Sequence, residues 1–177
     1  MNPLQIDFEK KLSQLGLSYS VNCNGNYQIR SPKGCVNHLK VLLISSLPLN
    51  QQIHVSKNGN QIVAIGLFKN QFLTSGFEPD IFVFAFQTPV KSQSEFLIVP
   101  TLEFWRRHVE MNSRSVSHKR VVMTIWLFED GQAYDATHIS PEGEWFFLSK
   151  GLNGRMADWS DLDYTEYLNS WRSITDR

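Results

Sequence analysis

Short, almost uninterrupted apolar runs constrain this chain most. Residues 81–86 (IFVFAF), 96–99 (FLIV) and 39–45 (LKVLLIS) are each about the length of a strand. None approaches the ~18 residues that a membrane-spanning helix needs. Continuous rather than alternating apolarity predicts burial on both faces, as in the middle of a sheet covered above and below. Residues 62–67 form another such run, and 121–128 (VVMTIWLF) reads as a strong strand.

Helices frame these runs. Asn2 can cap a first helix, with Pro3 at its first position and Gln5 where a capping-box partner would stand. Leu4, Phe8, Leu12 and Leu15 recur on one face, and Gly16 is the expected stop. Pro100 ends the 96–99 strand, and Thr101 caps a second helix through Leu102, Phe104, Trp105, His108 and Val109. A last helix is expected from Ser160, with Asp161 and Asp163 in its first turn and a stripe of Tyr164, Leu168, Trp171 and Ile174.

Strands are expected in the polar stretch at 18–23 and 27–31, and one more at 144–149. The signals Asn24–Gly25–Asn26, Ser31–Pro32–Lys33–Gly34 and Asn58–Gly59 mark turns. Asp130–Gly131, between 121–128 and a return at 132–137, is a type I′ hairpin signature. Segments 112–117 and 150–159 read as loops. The order predicts an α/β or α+β fold: a mixed central β-sheet flanked by helices. At 177 residues with no linker or repeat, residues 1–177 form a single domain.

Charge narrows the partners. Lysine plus arginine equals aspartate plus glutamate, 17 each, so nothing general points to nucleic acid or membrane. The distribution is uneven. Residues 1–105 carry net +2, residues 106–120 net +4 and residues 121–177 net −6. Arg106, Arg107, Arg114, Lys119 and Arg120 make the 106–120 stretch the candidate nucleic-acid contact. The alternative is a solvated helix face, in which Glu103–Arg107 and Arg106–Glu110 are i,i+4 pairs. Trp105 could stack on a base or belong to the core. The N-terminus lacks the apolar segment of a signal peptide, and Cys23 and Cys35 form neither a disulfide framework nor a zinc spacing. They read as small hydrophobes in a cytoplasmic protein.

No complete catalytic motif is present: no phosphate-binding glycine loop, nucleophile elbow, zinc helix or calcium loop. Asp130, Asp135 and His138 could hold a divalent ion, although Asp130 suits a turn equally well. His38 and His54 flank the 39–45 strand without a third ligand.

One arrangement is more particular. PDIFVFAF, a short polar loop and FLIVPTLEFWRRH succeed one another, and Tyr167, Leu168 and Trp171 follow near the C-terminus. This resembles bacterial proteins with the PD-(D/E)XK nuclease-like fold, many of which carry a PDFFVFV…FYIVP block. The resemblance covers about residues 1–110 plus the last helix. It implies a restriction-endonuclease-like core there, with a C-terminal hairpin and helix at 118–177. Active members of that group present a carboxylate on one strand. On the next they present an acidic or amide residue, a spacer and a lysine, which together hold a metal ion and position water. Aligned on LKVLLISS, those two positions here are Leu42 and Ile44, and the preceding strand offers Gln28. Glu9 matches an accessory acid, and Asp80 falls outside the expected site.

Three functions follow as expectations. The first is a non-catalytic nuclease-like domain without a cofactor. It binds nucleic acid or a protein partner, as an accessory of a bacterial defence or mobile-DNA system. The second is a metal-dependent nuclease or hydrolase with a relocated site. It would use Mg²⁺ or Mn²⁺ and draw ligands from Glu9, Asp80, Asp130, Asp135 and His138. The third is a structural or protein-interaction module using the aromatic residues, 12% of the chain.

Overall fold

Helix α1 (Pro3–Gln14) forms as its pattern predicts: Asn2 Oδ1 accepts the Leu4 amide at 2.9 Å, and Leu4, Phe8 and Leu12 are buried. No capping box forms, because the Gln5 side chain donates to Glu9 instead. The helix stops at Gly16, whose φ of 70° is left-handed. The Leu17 amide reaches back to Leu12 O and the Gly16 amide to Ser13 O, the two bonds of a Schellman ending. The structure, a computed structural model, describes residues 2–22, 25–44, 56–57, 60–70, 79–88, 93–111, 121–137 and 162–176.

The strands are β1 (Ser18–Val21), β2 (Asn26–Arg30), β3 (Val36–Ile44), β4 (Ser56–Lys57), β5 (Asn60–Asn70), β6 (Ile81–Thr88), β7 (Gln93–Pro100), β8 (Val121–Phe128) and β9 (Ala133–Asp135). Helix α2 (Thr101–Met111) follows β7 directly, and α3 (Arg172–Thr175) closes the chain. One mixed sheet has the order β1-β2-β3-β6-β7, with β3 and β6 parallel and the other neighbours antiparallel. A second, antiparallel sheet has the order β4-β5-β8-β9. The expected mixed sheet flanked by helices is therefore present, and the second sheet adds a layer.

Alternation sorts the core. Ile81, Val83 and Ala85 of β6, with Phe96 and Ile98 of β7, pack with Phe8 and Leu12 of α1. Phe82, Phe84 and Phe86, with Leu97 and Val99, pack on Met123, Ile125 and Leu127 of the second sheet and on Phe104 of α2. Both faces of β6 and β7 are thus covered, as continuous apolarity predicted. Strand β3 differs from that expectation: Val41, Leu42 and Leu43 are only half-buried. On its α1 side β3 contributes Leu39, Val41 and Leu43 to the core, and on its other face Leu42 packs against the second cluster.

Three hairpins share one turn. Asn22 and Asn26, Ser31 and Cys35, and Phe128 and Gln132 each close a three-residue loop. In each, the amide of the first residue donates to the carbonyl of the last at 2.8–3.0 Å. The third loop residue is Gly25, Gly34 or Gly131, at φ 71°, 85° and 85°. At Asp130–Gly131, Asp130 does not take the positive φ that the expected type I′ turn requires, and the hairpin closes instead through a three-residue loop ending in a left-handed glycine. Asp130 stabilises it by accepting the Gln132 amide at 3.1 Å. Cys35 lies in the second loop and is exposed, so it is not the buried small hydrophobe expected. Cys23 lies outside the described residues.

The C-terminal segment is the largest departure. In place of one helix there are a 3-10 turn at Thr165–Tyr167 and the four-residue α3. Asp163 bridges to Tyr134 of β9, and Leu168 bridges to Leu97 of β7. Asn169, at φ 53°, donates its amide to Phe96 O, and its Oδ1 accepts the Phe96 amide at 3.1 Å. The segment is a strap that pairs with an edge of each sheet, and those backbone bonds replace the helical ones. The expected elements at 58–59, 112–117, 144–149 and 150–159 lie outside the described residues.

Candidate nucleic-acid interface

Helix α2 begins where β7 delivers it, and Asp80 fixes that corner. The Asp80 carbonyl accepts the Thr101 amide at 3.0 Å, and its carboxylate accepts the His38 amide at 2.7 Å. On α2, Phe104 is fully buried. Trp105 packs edge-on against Phe82 and Phe104, with ring centres 6.3 and 5.1 Å apart, so it belongs with the core rather than with a stacking platform. Leu102, in the first turn of α2, is 85% exposed.

The polar side of α2 places Glu103 between two arginines. Arg106 Nη2 and Arg107 Nε both approach Glu103 Oε1, at 2.5 and 2.6 Å. The Arg106 guanidinium, with Arg107 beside it, holds the Glu103 carboxyl down at about 2, against burial that would raise it. The two arginines then diverge. Arg106 leaves half of its side chain exposed, whereas the Arg107 side chain is only 13% exposed. Arg107 also pairs with Glu166 at 2.8 Å and donates to the Asp163 carbonyl. Its guanidinium lies 4.9 Å from the Tyr164 ring centre and 5.3 Å from that of Tyr167. Arg107 therefore docks the strap onto α2, a role set by residues 56–60 positions away. Arg114, Lys119 and Arg120 lie outside the described residues.

The strand compared with the nuclease site is apolar where it matters. Leu42 lies in register with Phe84 of β6 and packs against the cluster of Phe82, Phe84 and Phe104. Hydrocarbon there offers neither a metal ligand nor a base. Glu9 serves α1: its carboxylate accepts from Tyr27 Oη at 2.8 Å, Tyr19 Oη at 3.1 Å and Gln5 at 2.9 Å. Partial burial raises the Glu9 pKa, but these three donors outweigh it and leave it below the ordinary value. Burial, and then the carboxylate itself, pushes the Tyr27 hydroxyl upward.

The remaining carboxylates sit apart from one another. Asp130 closes the β8–β9 turn. Asp135 is buried and accepts from the Thr137 amide at 2.9 Å and from its hydroxyl. Burial raises the Tyr164 hydroxyl well above its ordinary value, and the Asp135 charge adds to that. His138 and His54 lie outside the described residues. Among the described residues, no three His, Cys, Asp or Glu side chains form a group that could hold a metal ion. No described helix is long and apolar enough to cross a membrane.

Sequence reasoning missed the pair at the corner. His38 Nδ1 lies 3.4 Å from Asp80 Oδ2, and His38 Nε2 lies 3.4 Å from Gln28 Nε2. They come together because β3 runs parallel to β6, a pairing across about 40 residues that no local pattern announces. Compared with known proteins, the chain matches no family model, no curated protein and no solved structure.

Proposed function

We propose that this chain is a non-catalytic, nuclease-like domain that binds nucleic acid. The observation that carries the reading is Leu42. The resemblance puts a catalytic acid or amide at this position, and the side chain here is packed into an aromatic cluster. A scaffold that fills its reacting position with hydrocarbon is suited to holding a partner rather than hydrolysing one. Arg106 supports the binding half of the proposal as the exposed cation of α2, leading into the 106–120 stretch. A role as an accessory in bacterial defence or mobile-DNA systems fits a binding module of this kind.

Fluorescence anisotropy with labelled single-stranded and duplex oligonucleotides tests it. Binding is expected at low salt, weakening steeply as salt rises, with no cleavage in Mg²⁺ or Mn²⁺. Arg106→Ala is expected to weaken binding a few-fold. Absence of binding to every oligonucleotide at low salt overturns the proposal. So does metal-dependent cleavage that co-purifies with the chain and is abolished by substitutions in it.

A further inference from the structure

Among the described residues, the β1–β2–β3 half of the five-stranded sheet leaves the face opposite α1 open, and that face is mostly polar, with Val36 of β3 exposed on it beside Arg30. On the side opposite α1, β1 presents Ser18 and Ser20, β2 presents Gln28 and Arg30, and β3 presents His38 and Lys40. The β1 and β2 residues of this set are exposed, and His38 and Lys40 are half-exposed. Two adjoining shallow depressions, with about 440 and 530 Å³ of open space, run along it.

Two full cations, Arg30 and Lys40, lie on this face, within a sequence stretch rich in them. Residues 10–77 contain seven lysines and arginines, from Lys10 to Lys69, and no aspartate or glutamate. Asp80 reaches the face at its margin, against His38. We propose that this open face of β1, β2 and β3 is a docking surface for the sugar–phosphate backbone of a nucleic acid, with Arg30, His38 and Lys40 as its contacts. The inference rests on the nucleic-acid reading above and adds a second contact surface, distinct from α2.

The geometry favours a repeating anion. Arg30 lies one strand across and two residues along from His38, and Lys40 lies two residues further along β3, so the steps are roughly 8 and 7 Å. On an open, shallow surface, Arg30 and Lys40, with the His38 ring between them, do not converge on one small anion, which would need an enclosed pocket. A chain of phosphates meets them in succession. Gln28, Ser18 and Ser20 supply neutral donors between them. No aromatic ring lies among these six residues, so the contact is to the backbone and tolerant of sequence.

The test uses the full chain, a labelled 20-mer single strand and its duplex, and a salt titration. Arg30→Ala with Lys40→Ala is expected to weaken binding at least tenfold and to lower the slope of log K against log salt by about 1.5–2. Arg30→Lys with Lys40→Arg is expected to retain binding, and thermal unfolding confirms that both variants fold. If the parent binds and the double alanine variant binds equally well with an unchanged slope, this surface is overturned while the nucleic-acid reading stands. If the parent binds no oligonucleotide, that reading fails first. Binding to phosphatidylserine vesicles without binding to either oligonucleotide overturns the proposal in favour of a lipid surface.

Discussion

The two halves of the five-stranded sheet are built from one backbone pattern and opposite chemistry. In β6 and β7, residues on both faces are apolar, and α1 covers one side while the second sheet and α2 cover the other. In β1, β2 and the first part of β3, one face carries Tyr27, Ile29 and Leu39 against α1, and the other carries mostly polar residues, exposed or half-exposed, with Val36 exposed and Asn26 buried among them. The first half supplies the stability, and the second is free to carry a function at little energetic cost. Surface side chains there contribute little to folding, so their identity answers to other demands.

The largest expected effect breaks the covered half. Phe84 is fully buried and packs against Phe104, with ring centres 5.8 Å apart. Phe84→Ala is expected to destabilise the protein by about 3–5 kcal/mol in urea unfolding. A loss below about 1 kcal/mol would mean that the second sheet does not pack on β6 as described.

An intermediate effect belongs to the junction where α2 meets the strap. Arg107→Met is expected to cost about 2 kcal/mol, because the Asp163 carbonyl and the partly buried Glu103 lose a charged donor. The same cluster gives an acid signature. The Glu103 carboxyl is held at about 2 in the folded state, against an ordinary 4.5. Its contribution is therefore complete above about pH 4.5 and is lost as pH falls toward about 2. Urea midpoints measured from pH 6 to pH 2.5 should fall through that window, and Glu103→Gln should flatten the fall. An identical acid profile in parent and variant would remove Glu103 from the account.

The smallest effect tests the open half. Gln28→Ala is expected to change stability by less than about 0.5 kcal/mol, since Gln28 is exposed and its side-chain contact to His38 is itself at the surface. A loss approaching that of Phe84→Ala would show that this face is covered, and the contrast between the halves would collapse.

Local pattern made much of this legible. Asn2, Pro3 and the 4–8–12 spacing specified α1, and unbroken apolar runs marked β6 and β7 as buried on both sides. Glycines 25 and 34 marked turns and Gly131 a hairpin, although the turn at Gly131 depended on one more loop residue than the Asp–Gly pair suggested. The strap was not legible in the same way. Tyr164, Leu168, Trp171 and Ile174 have helical spacing, but Asp163 and Leu168 found strand edges to pair with, and those edges come from β9 and β7.

By itself, then, the sequence determined α1, α2 and the strands β6, β7 and β8, because periodicity and capping act over a few residues. It also determined that Leu42 and Ile44 are apolar and supply neither a carboxylate nor an amine. Only the tertiary structure decided that Arg107 turns inward while Arg106 stays out, that Asp80 meets His38, and that a polar face of the sheet remains uncovered. Those outcomes depend on which distant segment arrives beside each residue. The parallel pairing of β3 with β6 and the return of the strap are chosen by the packing of the whole chain, not by the neighbours of any one residue.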